Sequence, residues 1–137
     1  MTAEVFLDTN VLLYACSDSP ADAPRQQRAS ELILGSSFGI STQVLQEFIS
    51  NALRKDALGI TESAIDATLE LASHVPVLPV TLELVISATT LRRRFQFSHW
   101  DSTIVAAAQA LGCTTLFSED LTDGQQFGDL SIVNPFR

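Results

Sequence analysis

Lysine is nearly missing from this chain: Lys55 is the only one, beside seven arginines. Phosphate-handling chemistries built on a placed lysine therefore have a single candidate position. Cysteine is just as scarce. Cys16 and Cys113 stand far apart with no CxxC and no Cys/His spacing, so they read as buried free thiols in a reducing compartment. Six glycines and five prolines are too few for a collagenous or linker chain. No run approaches the roughly 20 consecutive apolar residues of a membrane span. The apolar stretch from Val5 to Tyr14 is broken by Asp8 and Asn10 and lacks a basic flank, so a cytosolic protein without a membrane segment is expected. Positive charge is short as well, with sixteen acids against eight bases and a net charge of −8. That balance argues against holding a polyanion by bulk charge, whereas clustered carboxylates are what a hard-cation site requires.

What is present is material for one core. The 137 residues are 46% hydrophobic and 18% charged, with no repeat or low-complexity tract, so residues 1–137 are expected to form a single domain. Short apolar runs at Glu4 to Leu7, Phe38 to Ser41, Val77–Leu78, Thr114 to Phe117 and Ser131 to Val133 read as strands. Between them, apolar residues recur at helical spacing. Val11 to Ala15 opens a first helix, and Pro24 sits in the first turn of a second, which carries Ala29, Leu32 and Ile33 and ends at Gly35. Thr42 is a candidate cap for a helix with Val44, Leu45, Phe48, Ile49 and Leu53 on one side. Thr61 caps one with Ile65, Leu69 and Ala72 inward, and Thr81 one with Leu84, Val85, Ala88, Leu91 and Phe95. Trp100 to Leu111 is alanine-rich and apolar, a central helix stopped by Gly112. Apolar strands alternating with helices predict an α/β fold whose parallel sheet of four to five strands is covered on both faces.

In such sheets functional groups gather at the carboxyl ends of strands. Asp8 follows the first strand directly and Asp120 follows the fourth, in Leu116-Phe117-Ser118-Glu119-Asp120. Asp101 lies in the first turn of the central helix, where the helix dipole favours an ionised carboxylate. Glu47 borders its helix's apolar face, aligned with Gln43, Ser50, Asn51 and Arg54. Each acid alone has an ordinary explanation as a turn, helix-start or solvated residue. Together they carry more, because Asp8 ends a run too apolar for a surface strand and Asp101 begins a helix too apolar for a surface helix. Two carboxylates about 5 Å apart at an effective dielectric near 20 repel by roughly 3 kcal/mol. A cation resolves such a cluster, and oxygen donors without His or Cys point to Mg²⁺ or Mn²⁺ and to phosphodiester cleavage.

At these residues the chain resembles the PIN-domain family, and most closely the VapC-type toxins, ribonucleases of bacterial toxin–antitoxin pairs. The matching pieces are Phe6-Leu7-Asp8-Thr9-Asn10-Val11-Leu12, Ser41-Thr42 with Glu47, Trp100-Asp101 with Ile104-Val105-Ala106-Ala107-Ala108, Gly112-Cys113, and Leu116 to Leu121. Asp123-Gly124-Gln125 and Ile132 to Phe136 resemble one bacterial subgroup in particular. The resemblance implies a three-layer α/β/α sandwich, Mg²⁺ or Mn²⁺ held by Asp8, Glu47, Asp101 and Asp120, and endonucleolytic cleavage of RNA. Asn10 and Ser118 match supporting polar positions. Glu119 and Asp123 compete with Asp120 for the fourth place, and Asp120 matches best as the residue two past Ser118. A homodimer and a small antitoxin whose C-terminal segment blocks the cleft are implied in the same way.

Arg92-Arg93-Arg94 reads first as a solvated helix end and second as a grip on RNA, with Arg25, Arg28 and Arg54 as further cations for that role. His99 reads as a packing or capping residue rather than a general base. Trp100 is expected to pack under the site, with base stacking as the lesser alternative. Competing functions fit less well. A phosphoacceptor receiver needs paired acids after its first strand and a late lysine, and a DxD phosphatase would need an acid where Asn10 stands. A noncatalytic PIN or receiver-like module that binds RNA or a protein partner is the alternative.

Overall fold

The computed structural model describes residues 1–137. Three apolar residues, Val5–Leu7, form β1, and Thr9–Cys16 form α1 immediately after it. Helix α2 (Ala23–Gly35) leads to β2 (Phe38–Ser41), α3 (Thr42–Arg54) and α4 (Glu62–Ala72). Then come β3 (Val77–Leu78), α5 (Leu82–Phe95), α6 (His99–Ala110) and β4 (Thr115–Phe117). A hairpin of β5 (Gln126–Phe127) and β6 (Leu130–Val133) ends the chain. No helix is long and apolar enough to cross a membrane.

The sheet has six strands in the order β3-β2-β1-β4-β6-β5, all parallel except β5, which pairs antiparallel to β6. Helices cover it as expected of an α/β sandwich: α1 packs on α2 and α3, and α5 packs along α6, which crosses β2. Strand β1 lies between β2 and β4, so the connections diverge from it to both sides. That divergence opens a crevice at the carboxyl ends of β1 and β4.

The core is continuous across the sheet. Phe6, Leu7, Ile40, Leu116 and Ile132 from the strands meet Val11, Val44, Phe48 and Val105 from the helices, all essentially without solvent contact. Every residue of α6 from Ser102 to Ala108 is buried, as its alanine-rich composition predicts, and Gly112 ends it with φ +74. Gly39 is needed in β2 for another reason. A Cβ there would stand 2.7 Å from Leu111 Cδ1 and 3.0 Å from Ala3 Cβ, so the end of α6 could not lie so close to the strand.

Several local expectations are corrected. Thr42 does not cap α3: Ser41 does, accepting the Val44 N–H at 3.3 Å, while Thr42 Oγ1 accepts from Val80 N–H at 3.1 Å across to the β3–α5 connection. Leu53 and Leu69 face solvent, and Ala52 and Thr68 take the inward positions. Helix α6 begins at His99 behind a Ser98 cap. Trp100 does not pack under the site; it is 65% exposed, because the second residue of α6 projects beyond the layer that buries the helix from Ser102 to Ala108. The hairpin strand β5 is additional to the expected sheet.

Candidate active site

The first acid is placed by the sheet itself. Asp8 follows β1, its N–H donates to Phe117 O at 3.0 Å, and it caps α1 through Oδ1, which accepts the Thr9 N–H at 2.7 Å. Its Oδ2 accepts the Ser118 hydroxyl at 2.8 Å. Ser118, fully buried beyond β4, also accepts the N–H groups of Asp120 and Leu121, each at 3.2 Å. One hydroxyl thus holds the Asp8 carboxylate and shapes the turn that carries Asp120.

The other acids come from three further elements. Asp120 Oδ2 accepts from Asn10 Nδ2 at 2.9 Å. Glu47 on α3 accepts from Thr9 Oγ1 at 2.9 Å and from Gln43 Nε2 at 2.8 Å. The same Gln43 nitrogen reaches Trp100 O at 3.2 Å, tying α3 to the start of α6, where Asp101 occupies the first turn; Gln43 Oε1 is buried with no partner. Asp8, Glu47, Asp101 and Asp120 line one cleft of about 270 Å³, with Lys55 as its single basic residue. A larger groove of about 940 Å³, between α3, α5 and the start of α6, shares Glu47, Asn51 and Trp100 with it.

The three candidates for the fourth acid separate by their partners. Glu119 lies 3.7 Å from Arg25, and burial followed by the neighbouring Glu119 carboxylate pushes the Tyr14 hydroxyl up to about 12. Asp123 accepts the Asn134 N–H at 2.7 Å and pairs with Arg137 at 3.2 Å, securing the C-terminal tail. Asp120 alone of the three faces the cleft. Arg92, Arg93 and Arg94 are exposed on the last turn of α5 and line neither cleft nor groove. Thr9, Asn51 and Lys55 belong to the lining as well. Lys55 had a readable signal, since Glu47, Asn51 and Lys55 follow one another at the helical spacing of four.

Burial pushes the Asp8 carboxyl up to about 6, against the bonds from Ser118 and Thr9, and the negative charges of Asp120 and Glu47 add to the rise. Asp101 is raised by burial first and then by Asp120 and Glu47, with Ser98 opposing. These four acids fit a hard divalent cation: their donors are all oxygen, and a cation would relieve the cost of keeping Asp8 ionised. No three of them stand close enough together to form a ready-made cage, and Asp8, Glu47 and Asp120 are each bonded to a neighbouring side chain instead.

In the metal-free protein, Asp8 binds its proton up to about pH 6, compared with 3.8 in the unfolded chain. The fold therefore holds more protons between those values and loses stability as pH rises through them. The loss is on the order of 3 kcal/mol. Thermal melts in EDTA are expected to show Tm falling between about pH 4 and pH 7, with a shallower fall in Asp8→Asn. Equal slopes in the two proteins would contradict the assignment.

A PIN domain family model matches residues 5–122. No curated protein matches in sequence. Among solved structures, a toxin–antitoxin complex from Klebsiella pneumoniae aligns with a TM-score of 0.68 at 16% identity, covering 96% of this chain and 98% of that one. VapC20 of Mycobacterium tuberculosis, described as a sarcin–ricin loop cleaving toxin, aligns at 0.67 and 22% identity over 85% and 90%. DNA-bound VapBC from Salmonella typhimurium aligns at 0.65 and 19% over 96% and 97%. At these identities the likeness is one of fold.

Proposed function

The chain belongs to the PIN-domain family, and from that premise we propose that it is a Mg²⁺- or Mn²⁺-dependent endoribonuclease and the toxin of a toxin–antitoxin pair. The observation that carries the reading is the meeting of Asp8, Glu47, Asp101 and Asp120 in one cleft at the carboxyl ends of β1 and β4. These four would hold the ion, which when bound supplies an activated water and charge neutralisation at the phosphate. The chain's own work is positioning. Ser118 and the Thr9 N–H fix both oxygens of Asp8, Thr9 Oγ1 and Gln43 fix Glu47, and Asn10 holds Asp120.

Net charge −8 leaves the grip on RNA to local cations, with Arg54 at the groove and Lys55 at the cleft nearest the acids and Arg92 to Arg94 farther out. The structural neighbour described as a toxin–antitoxin complex supports a protein partner, and a small antitoxin whose C-terminal segment closes the cleft belongs to the family resemblance. A homodimer belongs to the same reading. The noncatalytic alternative draws on one observation, that the acids form no ready-made cage.

Purified chain free of antitoxin, incubated with a mixed cellular RNA pool, separates the two. Discrete cuts with Mg²⁺ or Mn²⁺ and none in EDTA are expected. Absence of cuts from folded protein, or cuts that persist in EDTA, would overturn the metal-dependent nuclease reading.

A further inference from the structure

Tryptophan exposed next to carboxylates needs an explanation, because its indole gains most from burial. Trp100 is 65% exposed and immediately precedes Asp101 in α6. It lines both the acidic cleft and the adjoining groove, so a strand lying through both would pass the indole. Resting on the endoribonuclease reading above, we propose that Trp100 is a stacking platform for a nucleobase beside the scissile phosphate, and that it thereby sets which base is accepted there.

The platform is held from behind. Its carbonyl accepts from Gln43 Nε2 at 3.2 Å, and the His99 ring meets it edge-on, centroids 5.2 Å apart with 68° between planes. Helix α6 is buried from Ser102 to Ala108, so the base of the indole is anchored to the most enclosed helix of the fold. A rigid ring loses little freedom on stacking, and every base offers it a π-face. The surrounding chemistry suits a nucleotide. Gln46, Ser50, Asn51 and Thr103 give the groove amide and hydroxyl groups, which match base edges and ribose better than an apolar peptide. Arg54 lines the groove and Lys55 the cleft, a share of the chain's eight bases placed where adjoining phosphates would run.

Trp100 is the only tryptophan, so emission excited beyond the absorption of Tyr14 reports on it alone. The full chain carrying Asp8→Asn, with Mg²⁺ present, is titrated with a single-stranded RNA oligomer and with an abasic oligomer of equal length and charge. The RNA is expected to quench the emission by about half, and the abasic strand to leave it nearly unchanged. Anisotropy of a labelled strand is expected to show Trp100→Ala weakening RNA binding by about five- to a hundredfold while abasic binding stays constant. Trp100→Phe should restore most of the loss. In the active background, Trp100→Ala should broaden the base preference beside the mapped cuts.

Equal quenching by both strands would overturn the proposal. So would a loss of both affinities in Trp100→Ala together with conversion of a dimer to a monomer in light scattering, which would make the indole a subunit contact. Metal-dependent cuts without base-dependent quenching would sink this inference and leave the nuclease reading standing. Neither cuts nor strand binding from folded protein would overturn both.

Discussion

Asp8→Asn is expected to lower RNA cleavage by about a thousandfold or more, the several kcal/mol that a correctly held metal contributes to phosphoryl chemistry. Ordinary loss of function through unfolding predicts a less stable protein. Here the metal-free variant is expected to be equally or more stable near pH 7. The substitution removes a buried charge whose ionisation is opposed by desolvation and by Asp120 and Glu47. Part of that gain is returned, because the new amide N–H₂ would face a Ser118 hydroxyl whose oxygen already accepts from Asp120 and Leu121. An unmade buried hydrogen bond costs roughly 1–3 kcal/mol. Asp101→Asn, at a half-buried position without that serine, should show the activity loss with less of the offset. Cleavage assays paired with urea melts in EDTA check both halves, and substantial activity in both variants would remove these carboxylates from the chemistry.

Phe48→Ala is expected to cost about 3–5 kcal/mol and to lower Tm by about 10–20 °C. Phe48 is fully buried on α3, one residue after Glu47, and belongs to the core shared by the strands and the helices. Its removal leaves a cavity where α3 packs on α1 and β2, and a close-packed core relaxes into such a space only in part. A loss of this size is a large fraction of the 5–15 kcal/mol that holds a domain together. Below the new Tm the surviving folded fraction should still cut RNA, which distinguishes this variant from Asp8→Asn. A change under about 1 kcal/mol in denaturant melts would show that α3 is not seated by this ring.

Elements governed by nearest neighbours were readable in the chain. The caps at Thr61 and Thr81, the glycine stop at Gly112 and the strand runs before Asp8 and Ser118 are local, and each is found where its residue type favours it. Ser41 and Thr42 were not separable, since both can cap. The difference lies in the extended backbone of residue 41, φ −124, and in the N–H of Val80, thirty-eight residues away, which donates to Thr42 Oγ1. The two-residue strand β5 shows no alternation to read; it pairs with β6 across a tight turn and is held by Phe127 against Phe95 and Phe97, at 4.8 and 5.5 Å. Among the acids, position after a strand brought Asp8 and Asp120 into view, but spacing could not choose among Glu119, Asp120 and Asp123. Their separation depends on Arg25, Tyr14, Asn134 and Arg137, partners from distant parts of the chain. The exposure of Trp100 was hidden for a similar reason: it belongs to a buried helix but stands two residues ahead of the stretch that is covered.

Both margins of the sheet end in strands of two residues, β3 on one side and β5 on the other. Strand β3 is further bracketed by Pro76 and Pro79, which have no amide hydrogen to offer. An incoming strand would find too short a ladder to pair with, so the sheet is closed to growth by edge addition. Any contact this molecule makes with another copy or with a partner must therefore be built from helix faces and loops, where side chains choose the partner, rather than from backbone pairing that accepts any extended chain.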